Sequence, residues 1–148
     1  MKTVLQKLGI LGFLIILNFS AFAQKLGVID LKVEHLKDPL AIETAAPRLS
    51  WKITSTEKNT QQSEYEIRVG TDKTLLNKGK DLVWENHTVT DQSIWIDYAG
   101  SPLQSKKKYF WQVRVKDNHG NRSAWSTIGF FQTGMASSDW HAQWITVS

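Results

Sequence analysis

Glu64 and Glu66 stand two residues apart in "QSEYEIRVGTD". A pair of carboxyl groups held close, one with a raised pKa, is the equipment of acid–base hydrolysis. Glu85 and Asp91, with His87 between them, offer a second candidate set, flanking a turn across which a proton could pass. Each set has a plainer reading. Arg68 beside Glu64 and Glu66 makes the first a solvated outer face, and a turn needs polar residues like those of the second for its own sake. His35, His87, His119 and His141 are scattered and lack a ligand spacing such as His-x3-His. There is no Gly-x-Ser-x-Gly elbow and no phosphate-cradling loop. Asn86-His87-Thr88 and Asn121-Arg122-Ser123 match glycosylation triplets, a pattern chance often supplies. The residue types therefore assign no catalytic residue, no cofactor-binding residue and no metal ligand.

The elements that would have to position such groups are strands. Apolar residues recur with a period of two nearly everywhere, and no stretch sustains the three-and-four spacing of an amphipathic helix. The pattern predicts strands over 28–36, 48–55, 64–71, 81–88, 93–98, 109–116 and 128–133. Leu49, Trp51 and Ile53 share one face of the second strand. Tyr65, Ile67 and Val69 point inward from the third, and Tyr109, Trp111, Val113 and Val115 from the sixth. Seven short strands separated by turn-rich segments such as 56–60, 100–102 and 118–121 indicate an all-β fold, a two-sheet sandwich of immunoglobulin/fibronectin-III type.

Residues 103–126 say how that sandwich is closed. Leu103 lies six residues ahead of Tyr109, the spacing of a tyrosine corner, in which a buried ring packs in the core and its hydroxyl bonds backbone just upstream. Gly120, between Asn118 and Asn121, fits a turn position of positive φ. Trp125 is expected at the start of the last strand, within reach of the outward side chains of the preceding one, Arg114 among them. A guanidinium on an indole face contributes on the order of 0.5–1 kcal/mol at an exposed site. That makes Trp125 a structural residue before it is a sugar platform.

Residues 1–23 read as an address. Lys2 and Lys7 precede an apolar run over 8–17, and Ala21-Phe22-Ala23 gives a small-x-small cleavage pattern, a signal peptide for a secreted or periplasmic protein. The run is shorter than the ~20 residues of a bilayer span, so no stable membrane anchor is expected. Gln24 to Ser148 remains, about 125 residues and enough for one core. With no cysteine, apolar burial alone must hold it, and seven tryptophans supply much of that. Removing Lys2 and Lys7 from the 18 basic residues leaves 16 against 14 acidic ones, too balanced for a nucleic-acid partner. The tightest basic cluster, 106–108, precedes a strand as a solvated edge would.

Five stretches also carry a resemblance: "DPLAIETAAPRLSWKI", "QSEYEIRVGTD", "LVWENHTVTDQSIWIDYAGSPLQSKKKYFWQVRVKDNHGNRSAWS", "GFFQTG" and "DWHAQWI". In that order and spacing the chain is similar to the N-terminal immunoglobulin/fibronectin-III-like domain of secreted bacterial α-L-rhamnosidases, inverting glycoside hydrolases with an (α/α)6 barrel. The resemblance implies a sandwich over 24–136 and a linker over 137–148 toward following domains of a rhamnosidase polypeptide, which are the expected partners. Inverting hydrolysis needs two carboxyl groups about 6.5–9.5 Å apart. The resemblance places that pair in the barrel, which has no counterpart here, so no catalytic position carries over.

Two functions remain open at this point. The chain is a non-catalytic module of a rhamnosidase, present as a fragment without the barrel, or it is a free-standing module that binds a glycan or a protein. Trp84, Trp95, Trp140 and Trp144 would be the second reading's platform. Against it, Trp95 is expected to alternate within a strand between Ile94 and Ile96, and Trp140 and Trp144 lie in a segment suited to docking onto a neighbour.

Overall fold

The computed structural model describes residues 26–136 together with Asp139 and His141. The expected leader over 1–23 and its cleavage pattern lie outside the described residues, as do Trp140 and Trp144. Among the described residues, seven strands form two antiparallel sheets. The smaller has the order β1 (Leu26–Val33), β2 (Arg48–Ser55), β5 (Ile96–Asp97). The larger has the order β4 (Leu82–Val89), β3 (Gln62–Gly70), β6 (Lys108–Asp117), β7 (Gly129–Gln132). Three strands facing four is the expected immunoglobulin/fibronectin-III-like sandwich.

Alternation explains the core. Leu49 and Trp51 come from β2, Tyr65, Ile67 and Val69 from β3, Tyr109, Trp111, Val113 and Val115 from β6, and Phe131 from β7; all are buried between the sheets. Removing each large apolar side chain from water contributes about 1.5–3 kcal/mol, so these positions dominate the stability of a chain without disulfides. One polar bridge crosses the interior. The Trp51 indole N–H donates to Gln62 Oε1 at 2.9 Å, while Gln62 Nε2 donates to the carbonyls of Thr90 and Gln92.

Three expectations about elements change. The first strand stops at Val33 and not at residue 36, because Glu34 and His35 turn with φ of 48° and 65° and Leu36 pairs back to Val33. A short helix, α1 (Lys73–Asn77), interrupts the all-strand reading. Asp72 caps it by accepting the amides of Thr74 and Leu75 at 2.8 Å each, and its Leu76 is buried against the larger sheet. Five residues are too few to show a helical period in sequence. The fifth strand shrinks from 93–98 to two residues.

That last contraction comes from an extra residue. Ile96 faces Leu49 in regular register, yet the Trp51 amide bonds the Ser93 carbonyl at 2.9 Å. Two steps along β2 are thus matched by three along 93–96, which is a β-bulge. Trp95 sits in it with φ 61°, its amide donating to Ser50 Oγ. Regular alternation would turn Ile94 inward with Ile96. Instead Ile96 is buried while Ile94 and Trp95 are both exposed.

The seam between the sheets is closed by chain that switches sides. After β1, the Ile42 amide bonds Gln132 O, the Gln132 amide bonds Pro39 O, and the Gly134 amide bonds Ile42 O, a parallel pairing with the edge of β7. Asp38 Oδ1 accepts the Phe130 amide at the start of the same strand.

Candidate functional site

The tyrosine corner is present. Tyr109 is buried, its ring stacks on Phe131 with centroids 5.4 Å apart, and its hydroxyl accepts the Gln104 amide at 2.8 Å. Leu103 packs against the core from the same loop. A second tyrosine mirrors it. Tyr98 donates its hydroxyl to Ser101 O at 2.7 Å, and burial pushes its pKa up to about 12, so it stays a donor. Gly120 does adopt positive φ, 87°.

The outer face of β4–β3–β6 holds Glu64, Glu66 and Glu85, three of the four carboxylates that the sequence nominated. Register sets Glu66 opposite both Arg114 and His87, Arg68 opposite Glu85, and Glu64 opposite Lys116. Arg114 Nε donates to Glu66 Oε2 at 3.0 Å, and Arg68 Nε to Glu85 Oε1 at 2.7 Å. Arg122 spans both carboxylates, with one amino group on Glu66 and the other on Glu64 at 2.9 Å. Burial works to raise the Glu66 pKa, but hydrogen bonding from Arg114 and the charges of Arg114 and Arg122 outweigh it and hold the carboxyl below its ordinary value. A general acid needs the reverse shift. Glu64 and Glu66 belong to an ion-pair lattice on a sheet surface.

Trp125 lies within this lattice. Two guanidiniums cover its ring, Arg68 with its central carbon 4.3 Å from the centroid and Arg114 at 4.6 Å. The sequence identified the second stack and missed the first, since Arg68 reaches Trp125 from β3 only once the sheet has formed. Residues 122–126 run beside β6, where Ser123 Oγ and Ser126 Oγ accept the Val115 and Val113 amides and the Ser123 and Ser126 amides bond back to the same residues' carbonyls. Trp125 is therefore not at the start of the last strand. It belongs to a polar strap that finishes the hydrogen bonding of β6 before β7 begins.

The second candidate set does not flank a turn. Glu85 and His87 lie inside β4, with Glu85 taken by Arg68 and His87 Nε2 3.5 Å from Glu64 Oε2, while Asp91 is exposed beyond the end of the strand. The two asparagines of the glycosylation triplets are engaged as well. Asn86 donates to Tyr65 Oη and Thr88 Oγ1, and Asn121 donates to Glu57 and Asp117 carboxylates. Among the described residues no group of His, Cys, Asp or Glu is arranged to hold a metal ion. Of the proposed aromatic platform, Trp84 is buried, edge-on to Tyr98 at 5.2 Å. Trp95 alone of the described pair is exposed.

Residues 28–137 match the family model "Rha78A-like, N-terminal immunoglobulin domain". The chain belongs to this family. It is 39% identical over 123 residues to an alpha-L-rhamnosidase of Streptomyces avermitilis, covering 82% of this chain and 12% of that protein. An alpha-L-rhamnosidase of Formosa agariphila is likewise 39% identical, over 76% of this chain and 12% of its own length. Among solved structures, the S. avermitilis enzyme complexed with L-rhamnose matches 83% of this chain with a TM-score of 0.76, and the alpha-L-rhamnosidase of Dictyoglumus thermophilum matches 82% with 0.77 at 32% identity. The Rha78A-like domain thus spans about an eighth of the curated relatives it matches.

Proposed function

We propose that this Rha78A-like domain is a non-catalytic module of an exported α-L-rhamnosidase, and that it supports the neighbouring domains of that polypeptide. The observation that carries the reading is the state of Glu66. The most acid–base-like pair of the described residues, Glu64 and Glu66, shares Arg122 and keeps a carboxyl pKa lowered, the opposite of a proton donor's. The match to an N-terminal domain of enzymes about eight times longer supports it. The leader pattern over 1–23 supports export.

The test is direct. The chain from Gln24 onward is purified and assayed on an aryl α-L-rhamnoside. The expected outcome is a rate equal to the uncatalysed background in wild type and in Glu66→Gln alike. Turnover that survives repurification and disappears in Glu66→Gln, Glu85→Gln or Asp91→Asn would overturn the reading.

A further inference from the structure

The two outer faces of the sandwich are unlike. On β4–β3–β6 the charges answer one another, Arg68 with Glu85, Arg114 with Glu66 and Arg122 with Glu64; Trp125 is roofed by guanidiniums, Phe130 at the edge of the sheet carries Lys108, and Val89 at the end of β4 stands exposed among these charges. Water is the natural neighbour of such a surface. The outer face of β1–β2–β5 instead shows Ile29 at 50% exposure, Ile94 at 58% and Trp95 at 51%. Ile29 sits opposite Lys52 in the register of β1 and β2.

The bulge makes this exposure a feature of the backbone. A regular strand over 93–98 would hide Ile94, whereas the extra residue turns Ile94 and Trp95 outward together, at the cost of a φ of 61° that a bulky L residue rarely adopts. Bulges that re-aim side chains occur where a surface is used. The aim is also fixed. Arg48, anchored by Glu34 through hydrogen bonds of 2.7 to 3.3 Å, lies 4.6 Å from the Trp95 ring centroid, and His35 meets the ring edge-on at 5.4 Å. An apolar centre of Trp and Ile, held rigid by Arg and rimmed by polar groups, is the composition of a protein interface.

We infer that this face, with Ile94 and Trp95 at its centre, packs against another domain of the same polypeptide. The inference rests on the module reading above and names the surface through which it works. The occupant is argued from two facts. The family occurs as one domain of chains about eight times its length, so a tethered neighbour is present at high effective concentration. The rim is polar and self-paired, with Lys32, Lys52 and Arg48 answered by Asp30, Glu34 and Asp97, so the apolar residues at the centre are what it leaves uncovered. The complementary surface is therefore apolar at its centre and polar at its edge. A sugar is the poorer fit, because the Trp95 ring already carries Arg48 and His35, and the adjoining depression of about 150 Å3 over Asp30, Lys32, Ser50 and Ile94 is lined by an aspartate already paired to two lysines.

The experiment places residues 26–136 in the S. avermitilis alpha-L-rhamnosidase in exchange for its N-terminal domain, with wild-type sequence or with Ile94→Ser plus Trp95→Ala. The same substitutions are made in the isolated chain from Gln24 onward. The expected result is a lowered melting temperature for the substituted chimera and an unchanged one for the substituted isolated chain. If removing the whole N-terminal domain destabilises the enzyme but the double substitution does not, the surface is wrong and the module reading stands. If removing the domain changes nothing, the module reading falls and takes the surface with it. Should the chimera not assemble, the isolated chain is titrated into the enzyme lacking that domain; wild type should bind and the double variant should not, and no binding by wild type overturns the inference. Binding of the isolated chain to L-rhamnose or a rhamnose-containing polysaccharide, lost in Trp95→Ala, would make the face a sugar site and overturn it too.

Discussion

The Trp51 indole N–H reaches Gln62 Oε1 at 2.9 Å in the buried centre of the sandwich, joining β2 of one sheet to β3 of the other. Gln62 also holds the 90–92 turn through two carbonyls. Replacing it with leucine leaves the indole donor and two carbonyls without partners. Gln62→Leu should cost about 1–3 kcal/mol, read as a lower urea midpoint at unchanged slope. An unchanged midpoint would mean that water satisfies all three groups.

Tyr109→Phe removes one oxygen and leaves the Gln104 amide unpaired in the corner. The expected loss is about 1–3 kcal/mol by the same reasoning. Coincident denaturation curves for the variant and wild type would show that the ring packing alone carries the corner.

Gly100 is fixed by crowding. A Cβ there would come within 2.5 Å of both Trp84 Cβ and Tyr98 Oη. The Trp84 contact is close to backbone and cannot swing away. Gly100→Ala should cost about 1–3 kcal/mol or more, with loss of the Tyr98–Ser101 bond, while Gly120→Ala, whose Cβ meets nothing within 4 Å, acts only through its positive φ. Thermal melts of the two variants separate these mechanisms.

Acid should unfold this domain through identifiable groups. A hydrogen bond from Arg48 lowers the Glu34 pKa, and at Glu66 the pull of Arg114 and Arg122 exceeds the upward push of burial. Both folded values lie under the ordinary 4.5, so their contribution is complete above that pH and is lost as pH falls through the folded values. Melting temperature should be insensitive to these groups near neutrality and fall below about pH 4.5. Glu66→Gln should flatten that fall, and an identical pH profile would remove Glu66 from the account.

Residues 138–148 should be dispensable for the sandwich. Among the described residues the buried cluster is drawn from Leu26 to Phe131, and the chain is secured before residue 138 by the Ser105 hydroxyl, which donates to Gly134 O and accepts the Ala136 amide. Deleting 138–148 should leave the melting temperature nearly unchanged and reduce self-association at high concentration. A large drop would place Trp140 and Trp144 in the domain's own core.

What the sequence could show followed from range. The inward rows of β3 and β6 were readable because alternation is local, and Leu103 with Tyr109 because a fixed spacing carries the corner. The ion pairs of Glu66 and Glu85 were not, since register across three strands decides them. Trp95 was misread for a sharper reason. Isoleucine, tryptophan, isoleucine is a perfect strand pattern, and one extra residue against β2 is enough to turn two of the three to solvent. The helix after Asp72 was too short to announce a period, although Asp72 with Gly79 beyond it was a cap signal at each end.

The parallel pairing that closes the seam also has a mechanical meaning. Tension between the two ends of the domain is borne first by β1 on β2, and once it passes to Ile42 and Thr133 it draws the two sides of their parallel bridge in opposite directions. The three hydrogen bonds that join Pro39 and Ile42 to Gln132 and Gly134 are then loaded together in shear, not opened one after another as in a peeled hairpin. A sandwich built this way transmits a pull before it yields to one.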